Sequence, residues 1–183
     1  MKRVLIALVL IAVLISACGD TAAIPAPTYT PTVIRMPFSE VDLEPLLLDL
    51  GNFPPGVSGS QVRDTLPRMF LGIPEPAYQI FRVFEQGGEQ VGGVAILLYE
   101  DLDFVETAYG FISGGMPRAE QGGGLGDWSA SSTITLFGSS APLTDLVWRQ
   151  CHAVVHIRIG SDSDGARAFG EPLAESLEPI ACP

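Results

Sequence analysis

The opening of this chain decides the compartment in which everything after it must fold. Met1-Lys2-Arg3 is a cationic start, Val4 to Ile15 is an unbroken run of twelve apolar residues, and Ser16-Ala17 place small side chains in front of Cys18. As a helix the apolar run would extend about 18 Å at roughly 1.5 Å per residue. That is short of the ~20 residues needed to cross a ~30 Å hydrocarbon core. A cationic start, an apolar centre and a small-residue exit are the parts of a secretory signal. Removing residues 1–17 leaves 166 residues, enough for one domain with its own core in an oxidising compartment.

The end of that signal, Ile15-Ser16-Ala17-Cys18, resembles the lipobox of bacterial lipoproteins. The resemblance implies that Cys18 receives a diacylglyceryl thioether and that cleavage frees its amine, which is then open to acylation. One buried acyl chain binds a membrane only marginally, whereas two or more hold stably. The implied location is the bacterial cell membrane, lipid-anchored on the extracytoplasmic side, or the periplasm. The membrane is then a partner through the acyl chains on Cys18. An ordinary signal peptide with an incidental Cys18 is the alternative.

Charge narrows the other partners. Without Lys2 and Arg3 the chain keeps 8 basic against 21 acidic side chains, and Lys2 is its only lysine. A groove for phosphate backbones needs clustered cations, so no nucleic-acid partner is expected. The same charge disfavours electrostatic docking on anionic lipid. With Cys18 committed to lipid, Cys151 and Cys182 remain as an even pair, which export favours as a disulfide. Two unpaired buried thiols are the alternative.

Residues 18–38 hold Pro25, Pro27, Pro31 and Pro37 with few large apolar groups, the composition of an extended tether. One domain is expected over 39–183. Ser39 to Pro45 reads as a helix start, with Leu46, Leu47 and Leu50 as its apolar face, Gly51 as its stop, and a turn at Phe53-Pro54-Pro55-Gly56. Val57 to Thr65 reads as an edge strand. Tyr78–Glu85 and Val91–Tyr99 read as a hairpin around the four-residue loop Gln86-Gly87-Gly88-Glu89. Asp101–Ser113 changes to helical spacing, with Phe104, Val105, Ala108, Phe111 and Ile112 as its stripe and an Asp103/Glu106 capping box. Residues 113–126 are glycine-rich and read as a loop, followed by a strand over Ser129–Phe137. Leu143–Arg149 and His152–Ile159 form a second hairpin turning at Gln150-Cys151, and Asp164–Glu178 forms a last helix with Pro172 inside it. Hairpins with few helices and no regular crossovers indicate an α+β fold. The expected arrangement is an antiparallel sheet of two hairpins plus one or two extra strands, with helices packed on one face. The layout of Leu50-Gly51-Asn52-Phe53-Pro54-Pro55-Gly56, Leu125-Gly126-Asp127 and the Trp148-Arg149 hairpin is similar to uncharacterised lipoprotein domains of bacterial envelopes, a likeness that implies no known activity.

Few motifs carry chemistry. His152 and His156 are the only histidines. Four steps along a strand cover about 13 Å, so both rings would point to one sheet face, too far apart to share a metal, as surface histidines near Arg158. Gly122-Gly123-Gly124-Leu125-Gly126 is followed by Asp127-Trp128, without the Lys and Ser/Thr of a phosphate-binding loop. Asp162-Ser163-Asp164-Gly165 lacks the later ligands of a calcium loop and reads as a turn and helix cap. No Gly-x-Ser-x-Gly elbow occurs. Neither a metal nor a cofactor is expected, and no catalytic residue is assigned. Trp128, His152, His156 and Arg158 are the candidate binding surface, beside the Gly114–Gly126 loop. The expected function is a non-enzymatic binding or accessory domain for an envelope protein or a small ligand. The alternative is a small hydrolase using His152, His156 or an acid pair.

Overall fold

Residues 37–48, 57–63, 70–122, 124–135 and 141–182 are described by the computed structural model, all within one unit spanning 35–183. Cys18, the signal, most of the tether, the Gly51 stop and the Phe53-Pro54-Pro55-Gly56 turn lie outside the described residues.

A 3₁₀ turn at Phe38–Glu40 precedes helix α1 (Glu44–Leu48) and strands β1 (Gly59–Arg63), β2 (Tyr78–Gln86) and β3 (Glu89–Leu98). Helix α2 (Leu102–Gly115) follows, then β4 (Glu120–Gly122), β5 (Trp128–Thr135), β6 (Pro142–Gln150), β7 (Ala153–Ile159) and helix α3 (Ser163–Ala181). The strands form one antiparallel sheet in the order β1-β2-β3-β7-β6-β5-β4. The class is α+β, as the hairpins indicated.

Both hairpins form, with tighter turns than their sequences suggest. Gln86 pairs directly with Glu89, so the first loop is only Gly87-Gly88, at φ of 61° and 87°. Two consecutive positive φ values suit glycine and match the twist of the flanking strands. The second hairpin turns at Cys151-His152, one residue later than expected, with Cys151 at φ 47°. His152 therefore belongs to the turn rather than to β7. Three strands join the hairpins instead of one or two. The unforeseen one, β4, lies in the stretch read as a loop. Its residues are all exposed and show no alternation, and backbone pairing with Ser129–Ser131 of β5 holds it.

The helices do not share a face, and this corrects the expectation. Along β3, Val94, Ile96 and Leu98 join a core that includes Ala166, Leu173 and Leu177 of α3 and Leu47 of α1. Ala95 and Leu97, with Tyr99 just beyond the strand, join a second core with Val105, Ala108, Tyr109 and Ile112 of α2. Successive side chains of a strand point to opposite sides, so α2 and α3 cover opposite faces. The physical reason is the strand itself: six apolar residues in a row cannot be hidden by one layer.

Helix boundaries follow their caps. Asp101, not Asp103, caps α2, its carboxylate accepting from the Asp103 amide at 2.8 Å. The buried stripe is Val105, Ala108, Tyr109 and Ile112, while Phe104 and Phe111 stay half exposed. Asp162 caps α3 by accepting from the Gly165 amide at 2.9 Å, the cap role expected of that acidic turn.

Cys151 and Cys182 are bonded, with Cα atoms 5.3 Å apart. The His152 amide also donates to the Ala181 carbonyl at 3.2 Å, so the end of α3 is fastened to the hairpin turn twice. The disulfide closes a loop across a separation of 31 residues. Its reduction is expected to lower unfolding free energy by about 3–4 kcal/mol, read as a fall in the urea midpoint with reductant against without. An unchanged midpoint would show that the helix docks as well without its covalent tie.

Candidate ligand cavity

Asp145 is an acid in the middle of β6, flanked by Thr144, Leu146 and Val147, all buried. Its register partner on β7 is Arg158, and directly opposed residues of an antiparallel pair share a face. His156, two residues earlier on β7, points the same way. All three side chains emerge on the face covered by α2, at the end where that helix stops and the chain leaves through Met116-Pro117 before turning at Arg118, φ 54°. The Ser132 hydroxyl, opposite Asp145 on β5, donates to the Pro117 carbonyl and fastens this exit to the sheet.

The three form a closed polar cluster. Arg158 donates from Nε to Asp145 Oδ1 at 2.6 Å and from Nη2 to Oδ2 at 2.7 Å, a two-pronged grip. His156 Nε2 lies 3.0 Å from the same Oδ1. The Asp145 and His156 side chains are only 4% and 3% exposed, against 41% for Arg158. Burial by itself would raise the Asp145 carboxyl, but the hydrogen bonds from His156 and Arg158 outweigh it and hold it at about 2, below its ordinary 3.8. The reciprocal bond raises Arg158. An ionised carboxylate only accepts, so the proton of a neutral His156 ring sits on Nε2.

Above this floor lies a cavity of about 240 Å³. Its walls are Phe70, Phe111, Ile112, Gly115, Met116 and Pro117, and the Phe70 ring meets the imidazole edge-on at 5.6 Å. Few convergent polar groups inside an apolar enclosure is the usual make-up of a small-molecule site.

Of the four residues nominated from sequence, the structure gathers His156 and Arg158 and leaves the others apart. His156 is buried and paired with a carboxylate, which corrects its reading as a surface histidine; the acid that draws it inward was invisible to spacing along one strand. His152 sits in the hairpin turn, with Nδ1 2.8 Å from the Tyr99 carbonyl oxygen and its ring beside Phe38. Trp128 stands at the start of β5, half exposed, its Nε1 donating to Gln121 at 3.0 Å. The nominated Gly114–Gly126 stretch contributes Gly115, Met116 and Pro117 to the wall. Asp145 was missed, although an acid inside an apolar strand was a signal that some cation must lie beside it.

Among the described residues no three His, Cys, Asp or Glu side chains gather to hold a metal ion. No protein-family model matches this chain, and no characterised protein matches it either.

Proposed function

We propose that this protein is a lipid-anchored extracytoplasmic binding or accessory domain of a bacterial envelope, which captures a small ligand without transforming it. The anchor rests on the Ile15-Ser16-Ala17-Cys18 pattern. The capture rests on one observation: the 240 Å³ cavity with apolar walls and a floor of Asp145, His156 and Arg158. A buried charged cluster is costly to maintain, and here it lines a space large enough for a compact molecule, just under the roughly 300 Å³ at which ligand pockets usually begin. A screen of compact molecules against the full chain, read by side-chain resonances of Phe70, Ile112 and Met116, is expected to find binders that shift these signals together. If no such compound moves them, ligand capture fails.

The anchor has its own test. Replacing Cys18 by Ala is expected to transfer the protein from the detergent phase to the aqueous phase of a cloud-point separation, because one or more acyl chains at about 0.8 kcal/mol per buried CH₂ are lost. Unchanged partitioning would remove the lipid from the account.

A hydrolase is the second reading, favoured by a histidine paired with a carboxylate inside a cavity. None of the described lining residues is Ser, Thr or Cys, so such an enzyme would have to activate water. Nitrophenyl ester hydrolysis abolished by His156→Gln would support it over capture.

A further inference from the structure

Nδ1 of His156 has no partner among the described residues, on a ring 3% exposed that lines the cavity. In the neutral ring the Asp145 bond places the proton on Nε2, so Nδ1 presents a lone pair. Arg158, by contrast, has given its Nε–H and one Nη2 hydrogen to Asp145, and its remaining donors are the two hydrogens of Nη1 and the second hydrogen of Nη2. The guanidinium charge is offset at once by the carboxylate it grips, and the chain as a whole carries −11. The floor therefore offers an acceptor, His156 Nδ1, beside guanidinium donors whose charge is already offset.

We propose, resting on the ligand-capture reading above, that the cavity takes a compact neutral molecule with an apolar body and an N–H or O–H donor beside an acceptor oxygen, as in a carboxamide, and rejects the matching anion. The ligand donor would meet His156 Nδ1 and its oxygen would meet Arg158. A ligand with only an acceptor would bury Nδ1 without a hydrogen bond, which costs more than a bond foregone in water. Among the described lining residues, the only titratable or charged groups facing the imidazole are Asp145 and Arg158; α2 and the Met116-Pro117 exit contribute none.

The test uses three molecules of nearly equal shape on the unmodified full chain: benzamide, acetophenone and benzoate. Imidazole ¹⁵N shifts report whether His156 is neutral or protonated. With the ring neutral, benzamide is expected to bind at least about tenfold more tightly than either of the others, equivalent to about 1.4 kcal/mol. Lowering the pH until the shifts report imidazolium replaces the lone pair with an N–H, so benzamide should weaken and benzoate strengthen. Acetophenone equal to benzamide, or benzoate ahead of it on the neutral ring, would overturn the proposed ligand class while leaving capture intact. If none of the three shifts the Phe70, Ile112 and Met116 signals up to about 10 mM, a weak limit for molecules of this size, the class falls, and capture falls with it only where the wider screen also finds no binder.

Discussion

Asp145→Ala is expected to destabilise the protein by about 4 kcal/mol, near the upper end of single substitutions. Removing one partner of a buried ion pair leaves the other uncompensated, at a cost of about 3–5 kcal/mol. Here the acid serves two partners, so His156 Nε2 would lose its acceptor inside the core while Arg158 would lose both prongs of its grip. The 41% exposure of Arg158 moderates the loss, since that guanidinium can turn toward water. The measurement is urea unfolding of wild type and variant at neutral pH; a difference below about 1 kcal/mol would mean that the cluster contributes nothing to stability.

The same acid sets an acid limit. The carboxyl is held at about 2 in the fold against an ordinary 3.8. A depressed carboxyl stabilises fully above its unfolded value and loses that contribution as pH falls through the folded one. Wild type should therefore lose about 2 kcal/mol between those two values through this group alone. The variant has no such group, so the gap between the two proteins should narrow over the same interval.

Trp148→Ala is expected to cost about 4 kcal/mol, within the range for emptying a buried aromatic site. Trp148 is 0% exposed on β6, on the face covered by α3. Two glycines press onto it. A Cβ on Gly126 would come within 2.8 Å of its Cδ1, and one on Gly170 would lie 3.4 Å from its Cζ3. Both the helix and the Leu125-Gly126 turn are thus shaped to the indole, and at the two points of closest approach there is a glycine, with no side chain to swing into the vacated space. Trp148→Phe should cost less than half as much. It keeps most of the ring and removes Nε1–H, a buried donor without a partner among the described residues. Equal losses from the two variants would show that ring volume is not what α3 packs against. Trp128 remains in both as a fluorescence probe.

How much of this was legible in the chain depends on whether a feature is local. Caps, turns and strand runs are local. Asp162 before Gly165 announced the start of α3, and Gly87-Gly88 between two apolar runs announced the first hairpin. The pairing of Cys151 with Cys182 was legible from the even count left once Cys18 is set aside and from the expectation of export. The cover on both sheet faces was also written in the chain, in the uninterrupted Val94-Ala95-Ile96-Leu97-Leu98-Tyr99, which lacks the alternation of a strand open to water on one side. The cavity is a different matter. Asp145 and Arg158 are thirteen residues apart and meet only through the β6–β7 register. A hairpin turn displaced by a single residue would have put different side chains across from one another.

The sheet ends in two modest borders. β1 has five residues and carries Gln61 and Arg63, while β4 has three, Glu120-Gln121-Gly122, all open to water. Such short, polar margins offer little template for another chain to extend by strand addition. Two copies brought together along either border would find too few backbone groups there to join their sheets.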